Sequence, residues 1–415
     1  MHLQATIITI GDELLIGQTI DTNSAWMAKQ LNALGIDLRR RIAVGDTKEA
    51  IVSALDEEIG RNDILLLTGG LGPTADDITK PLLADYFGGK LVVNDEVLAH
   101  VKEIFSRRKR PMLERNLKQA EVPDVCTVLF NEMGTAPGMW FERDGKIIVA
   151  MPGVPFEMIS IMEDEVLPRL RMMATTDAIV HRSIITAGEG ESFIAEAIKD
   201  LEEVLPEHIR LAYLPDAGMV RLRLTGHGTD ELRLIKEVEL RRDELAGRLE
   251  KIVVALEDLP MEHILGKILT GKGLMLGLAE SCTGGYIAHR ITQIMGSAQY
   301  FSGSVVCYQE LVKEDILDVK RKTIEKHGVV SEEVAMEMAE GARKALRSDI
   351  GFGITGLLSG SDNDRVPVGT VCMAAAMDGR SASKTFQFHM DRLRNKDLAV
   401  TNALLFIWKF VEEKI

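Results

Sequence analysis

Three short apolar runs in the first 170 or so residues each stop at a glycine or a glycine-proline cluster. Ile64–Thr68 (ILLLT) is the clearest, with no alternating polar face and with Asp63 and Gly69 at its ends. A strand that is apolar on both sides needs cover on both faces, which a parallel sheet wrapped by crossover helices supplies. Gln4–Thr9 and Lys146–Met151 read the same way. Between them, Ser24–Leu34, closed by Gly35, and Lys48–Glu58 carry helical spacing. The expectation is an α/β fold, with a doubly wound domain over residues 1–171.

Residues 172–256 change character. Glu191–Leu201 and Asp230–Leu249 have helical spacing, and Val220–Leu224 (VRLRL) alternates like a half-exposed strand. This reads as a small α+β module. A third block, again α/β, is expected over 257–415, with Pro260 close to its start. No internal repeat or low-complexity segment is evident.

At 415 residues, with 46% hydrophobic and 27% charged, the chain has room for two or three domains with buried cores. The net charge of −14 speaks against direct nucleic-acid binding, which needs clustered positive charge to displace phosphate counterions. No basic leader precedes a long apolar core, and no apolar run approaches the roughly 20 residues a membrane helix needs. Cys126, Cys282, Cys307 and Cys372 form no C-x-x-C pair. A cytoplasmic protein with reduced thiols and no membrane partner is the expectation. Without a Cys/His cluster, a metal here would be a hard ion held by carboxylates and phosphate oxygens.

Polar stretches follow the strand-like runs. Gly11, Asp12 and Glu13 lead to Asp21, Thr22 and Asn23. Thr68-Gly69-Gly70-Leu71-Gly72-Pro73-Thr74 leads to Asp76, Asp77 and Thr79, and Asn131 precedes Gly134-Thr135-Ala136-Pro137-Gly138. Ligands of doubly wound sheets bind outside the carboxyl ends of the strands, where glycine lets a phosphate approach the backbone. A helix N-terminus adds unpaired N–H groups there. Asp76 and Asp77 are suited to hold a divalent ion against phosphate oxygens. The plain alternative is that the glycines serve tight turns and the aspartates cap helices.

GDELLIGQTIDTN, TGGLGPT with DDIT, GTAPG and MPGVPFEM together resemble the CinA (competence/damage-inducible) family. Its first domain is similar to the molybdopterin-binding domains of molybdenum-cofactor biosynthesis. The resemblance covers essentially all of the first domain and implies metal-dependent hydrolysis of ADP-ribose to AMP and ribose phosphate. The implied pocket is Gly11, Asp12, Glu13, Asn23, Thr68, Gly69, Gly70, Gly72, Thr74, Thr79, Asn131 and Thr135. Asp46, Asp76 and Asp77 are the implied ligands of a divalent metal (Mg, Mn or Co), with Asp46 and Asp77 as the catalytic pair. The middle block (GEGES, YLPDAGMVRLRL) resembles the family's small KH-like linker domain. A homodimer is expected on the same ground.

In the third block, Leu278-Ala-Glu-Ser-Cys-Thr-Gly-Gly285 lies between a strand-like Leu274–Ala279 and a helical pattern from Gly284 onward. Ser281 there is either a helix cap or a nucleophile near free N–H groups, such as those of Thr283 and Gly284, that suit an oxyanion. A nucleophile needs a base. Neither His289 nor His327 has an evident claim, whereas Tyr308 and Lys313 follow a strand-like run. AESCTGG, GSVVCYQELVK, GVVSEEVAMEMAEGAR, GITG and PVGTV resemble the family's C-terminal domain, which is similar to nicotinamide mononucleotide deamidases. The resemblance makes Ser281 the nucleophile, Lys313 the base and Tyr308 an assistant. It puts Cys282, Thr283, Gly284, Gly285, Thr355 and Gly356 around the substrate, with no cofactor.

One stretch departs from the pattern. The A-G-P turn that usually follows TG is replaced by Leu357-Leu358-Ser359-Gly360, with Asp362 and Asp364 beyond. This reads as a polar, flexible turn whose negative charge opposes a phosphate-bearing substrate. Four functions therefore stay open: a two-activity nucleotide hydrolase, an N-terminal hydrolase with an inactive C-terminal module, a pterin-binding protein, and an accessory protein of competence. Arg107–Arg110 reads as a solvated helix end or as a patch that attracts an anionic substrate, and Arg39–Arg41 as solvated charge.

Overall fold

The computed structural model spans the chain, and the structure describes residues 3–74, 77–173, 178–216, 218–360 and 366–415. Tertiary contacts divide the chain into two units: Met1–Val180 with Gly226–Glu237, and His181–Thr225 with Val238–Ile415.

In the first unit, six strands form one sheet in the order Asp37–Val44, Gln4–Ile10, Ile64–Thr68, Lys146–Met151, Gly138–Arg143, Thr127–Leu129. The first four run parallel, as the continuous apolar runs require, Gly138–Arg143 pairs antiparallel with Lys146–Met151, and Thr127–Leu129 pairs antiparallel with Gly138–Arg143. The reversal is set by Asp144-Gly145, both at positive φ (52° and 74°), the turn whose twist matches a hairpin. Helices cover both faces. Ile7, Leu66 and Val149 pack against Met27, Leu31 and Met158 on one side, and Ile8, Leu65, Leu67 and Ile148 against Ile51, Leu55 and Leu83 on the other. Each such side chain contributes about 1.5–3 kcal/mol by leaving water. Helices Thr22–Ala33 and Lys48–Ile59 start where Asp21 and Thr47 accept backbone N–H groups in their first turns.

In the middle of the chain, Ile209–Asp216, Met219–Gly228, Ala178–Ala187 and Val253–Ala255 form a four-stranded sheet in that order, with helices Glu191–Glu203 and Glu231–Arg248. The third sheet, in the second unit, runs Phe301–Val306, Leu276–Glu280, Ile350–Gly356, Thr370–Met377, Arg380–Gln387. Its first three strands are parallel and its last two antiparallel. Helices Met261–Lys272 and Arg392–Val411 bury Leu265, Leu269, Ala403 and Leu404 with Leu278, Phe352 and Ile354. On the opposite face, helix Glu332–Ala345 packs Val334 and Met338 with Ala279, and Ala335 and Ala339 with Cys372 and Ala374. Among the described residues, no helix is long and apolar enough to cross a membrane.

Candidate functional site

The strand Leu276–Glu280 is buried throughout, and after Ser281 the chain turns through Gly284 and Gly285 at φ of 64° and 90°. A side chain would be strained at either position, so the paired glycines let the chain reverse before helix Tyr286–Thr292. Ser281 is 8% exposed, and its amide donates to the Ile354 carbonyl on the neighbouring strand. Lys313, on helix Glu310–Leu317, is 1% exposed. Its Nζ donates to Ser281 Oγ at 3.1 Å and to the Cys307 carbonyl at 2.6 Å. Among the described residues no carboxylate pairs with it. Burial lowers the Lys313 pKa from its ordinary value, against opposing contributions from Cys307, Glu310 and Cys282. A lysine shifted this way, with one N–H held by a carbonyl, can present its lone pair to the serine hydroxyl.

Ser281 is therefore no helix cap. The helix starts five residues later, and its N-terminus is taken by Glu280, which is fully buried. Glu280 Oε2 accepts from Thr283 Oγ1 (2.8 Å) and the Ile287 amide (3.0 Å), and Oε1 from the Ala288 amide and Ser304 Oγ (both 3.0 Å). A protein carboxylate thus already answers the positive end of this helix. Of the two N–H groups expected to bind an oxyanion, that of Gly284 is spent on the Ser281 carbonyl at 3.1 Å. Among the described residues, the amides of Cys282, Thr283 and Gly285 have no acceptor.

Other expected residues surround this turn in supporting positions. Cys282 is a buried thiol whose pKa burial pushes up to about 12, which makes it inert, and its Sγ lies against Gly356. Thr355 is buried and donates to the Val329 carbonyl. Tyr308 is 61% exposed, and its hydroxyl accepts from Arg392 Nη2 at 3.2 Å; it has no hydrogen bond to Ser281 or Lys313. His289 bonds Gln293 and His327 pairs with Glu333, so neither serves as the base.

The described part of the departing loop is anchored rather than flexible. Leu358 is 2% exposed, its carbonyl accepts from the buried Asn395, and Ser359 Oγ accepts from Arg392 Nη1 at 2.8 Å. Asp362 and Asp364 lie outside the described residues. Arg392 and Lys396, one turn apart on helix Arg392–Val411, escaped sequence reasoning altogether. Lys396 Nζ lies 3.7 Å from where a Cβ on Gly284 would sit, beside the nucleophile's turn.

In the first unit, the expected pocket residues gather at the carboxyl ends of the parallel strands, and they mostly bind one another. The Asp12 amide donates to Asp46 Oδ2 at 3.0 Å and the Asp46 amide to Asp12 Oδ1 at 3.3 Å. Asn23 Nδ2 donates to Thr68 Oγ1 (3.2 Å) and the Gly153 carbonyl (2.8 Å), and Thr68 Oγ1 to the Pro152 carbonyl. Asp77 accepts the Thr74 amide at 2.8 Å and crowds Gly72, while Thr79 crowds Gly70. A Cβ on Gly11 would likewise meet the Glu13 carboxylate, and Gly69 turns at φ 117° against the Ile10 carbonyl. Asn131 ties its turn together: it donates to the Ala136 carbonyl and Glu157 and accepts the Met133 and Gly134 amides, with Thr135 half-buried in that turn. Asp76 lies outside the described residues. Among those described, no three His, Cys, Asp or Glu side chains form a metal-binding group.

Lys80 was also missed. It is 6% exposed, follows Thr79, and donates to the Lys118 and Gln119 carbonyls at 3.3 and 3.1 Å. Burial lowers its pKa to about 8 against nearby Glu121 and Asp77. A lysine next to the apolar Leu82-Leu83-Ala84 run of helix Thr79–Tyr86 was the available signal. Arg107 pairs with Glu103, and Arg40 with Glu57 and Glu58.

Comparison with known proteins matches three successive stretches of the chain. Residues 6–172 match the family described as "Probable molybdopterin binding domain", 181–255 the damage-inducible protein CinA KH domain, and 258–411 the CinA C-terminal domain. A CinA-like protein of Flavobacterium psychrophilum is 42% identical over 410 residues, covering 98% of both chains. One of Cytophaga hutchinsonii is 43% identical over 402 residues, covering 96% of each. Among solved structures, a CinA protein from Thermoplasma acidophilum is 33% identical over 39% of this chain and 95% of its own, with a TM-score of 0.36. With near-complete coverage at this identity and all three domains in order, the chain belongs to the CinA family.

Proposed function

We propose that the C-terminal domain deamidates nicotinamide mononucleotide and that the N-terminal domain hydrolyses ADP-ribose with a divalent metal. The observation that carries the first activity is the buried lysine amine 3.1 Å from a serine hydroxyl, with no carboxylate partner among the described residues. Neutral Lys313 takes the Ser281 proton as Oγ attacks the carboxamide carbon. The carbonyl π electrons move to oxygen, and the amides of Cys282 and Thr283, which have no acceptor among the described residues, are donors for that oxyanion. On collapse Lys313 returns the proton to the departing nitrogen, ammonia leaves, and an acyl-serine remains. Water, deprotonated by the same lysine, then releases nicotinate mononucleotide and restores Ser281. Arg392 and Lys396 supply positive charge for the substrate phosphate, since Glu280 already occupies the helix N-terminus.

For the N-terminal domain, the oxygen-only donors Asp46 and Asp77 suit a hard ion that completes its shell with phosphate oxygens and water. Such an ion would neutralise the pyrophosphate and acidify a water molecule. The chain's own part is a tight glycine loop: at Gly69, Gly70 and Gly72 the place of a Cβ is taken by the Ile10 carbonyl, Thr79 and Asp77, so only glycine lets this loop close at the strand end. The names of the relatives add a competence- or damage-linked setting to this reading.

The decisive assay is ammonia release from nicotinamide mononucleotide by the purified chain beside Ser281→Ala. Release lost in the variant supports the reading. An intact chain that cleaves ADP-ribose with a divalent metal yet releases no ammonia confines activity to the first domain.

A further inference from the structure

Strands Phe301–Val306 and Ile350–Gly356 both pair in parallel with Leu276–Glu280, so the chain leaves all three at one end of the sheet. Ser281 follows the central strand, Tyr308 follows one flanking strand, and Ser359 follows the other. The Arg392 guanidinium donates to both outer positions, to Tyr308 Oη at 3.2 Å and to Ser359 Oγ at 2.8 Å. It therefore ties together the segments that follow the two strands flanking the one that leads to Ser281. Both partners are neutral hydroxyls, and among the described residues no carboxylate pairs with it. Two of its five N–H groups are used, which leaves an oriented, uncompensated cation with three donors to spare. Lys396, one turn along, adds a second charge beside Gly284.

We infer that Tyr308 and Ser359 are positioning residues that hold Arg392, at the strand ends beside Ser281, as the receptor for the substrate's phosphate. This rests on the deamidase reading, and it gives Tyr308 a part in binding rather than in proton transfer. Ser359 belongs to the stretch that departs from the family pattern, so the rebuilt loop supplies one jaw of the brace.

The test measures binding by calorimetry in a Ser281→Ala background, where turnover cannot interfere, using nicotinamide mononucleotide, nicotinamide riboside and inorganic phosphate. Arg392→Met should weaken the mononucleotide by roughly 10- to 100-fold, the size of a lost charge-assisted contact, and leave the riboside within twofold. Tyr308→Phe and Ser359→Ala should each weaken the mononucleotide about three- to tenfold, again sparing the riboside. With Ser281 restored, Tyr308→Phe should raise KM while kcat and the pH profile hold. Unchanged thermal unfolding of each variant guards against a folding defect. Equal losses for mononucleotide and riboside overturn the inference, as does a kcat loss in Tyr308→Phe on both substrates. Absence of binding by both the mononucleotide and phosphate also overturns it. Phosphate-selective binding in a chain that releases no ammonia sustains the brace and removes the deamidase reading instead.

Discussion

The two candidate sites are built on opposite plans. Around Ser281, side chains from separate elements converge on one atom: a lysine from helix Glu310–Leu317 meets a serine after strand Leu276–Glu280 with nothing between them. At the ends of the first sheet, the polar residues are consumed by their own loops, as Asp77 is by Thr74, Asn131 by its turn and Asn23 by Thr68 and Gly153. A site that works by proton transfer between side chains must bring those side chains into contact. A site that works by positioning phosphates and an ion can spend its side chains on shaping loops and offer backbone to the ligand. The contrast predicts that single substitutions disable the second unit's site outright and wear down the first unit's site by degrees.

The largest effect is expected at the dyad. Lys313→Met and Ser281→Ala should each lower ammonia release by about a thousandfold or more, and the double variant should be little worse, since the two act as one unit. Additive losses would break the dyad. The rate should rise with pH through a Lys313 pKa below the ordinary lysine value, because only the neutral amine is a base. A bell centred near the histidine range would point elsewhere.

At the other site, Asp77→Asn should slow metal-dependent ADP-ribose cleavage roughly 100-fold, partly recovered at higher metal concentration. A loss that no metal concentration recovers would make Asp77 a loop residue only. Lys80→Met should cost about 1–3 kcal/mol in denaturant unfolding by leaving the Lys118 and Gln119 carbonyls without a donor. The native pKa of Lys80 is about 8, below its ordinary 10.5, so between these values the unfolded chain binds more protons. Stability therefore rises with pH across that window, and the variant should flatten the rise. The smallest effect belongs to Arg107→Ala, within about 0.5 kcal/mol, since its pair with Glu103 is exposed. A larger change there, or loss of ADP-ribose affinity, would give the basic cluster a part in binding.

Much of this was written locally in the chain. Ile64–Thr68 and Lys146–Met151 are strands over the residues their apolar runs predicted, because continuous burial leaves no other periodicity to satisfy. The antiparallel return at Asp144-Gly145 was legible too, as an Asp-Gly pair between apolar runs, and was passed over. Ser281 was ambiguous, because a serine between a strand and a helix reads alike as a cap and as a nucleophile. Glu280, whose carboxylate reaches seven and eight residues ahead to the Ile287 and Ala288 amides, removed the first reading, and no local rule foresees that reach.

By itself the sequence determined the family, strands such as Ile64–Thr68 and Lys146–Met151, helices such as Lys48–Ile59, and the short motifs that hold glycines and carboxylates at strand ends. Those depend on neighbours within a few residues, where propensity and periodicity act. Only the tertiary structure decided which polar groups remain available. Lys313 lies 32 positions from Ser281, and Arg392 lies 84 from Tyr308 and 33 from Ser359. Such meetings are set by which strands adjoin and which helix packs over them. Burial, which lowers the Lys313 and Lys80 pKa values, likewise belongs to the whole core rather than to any stretch of chain.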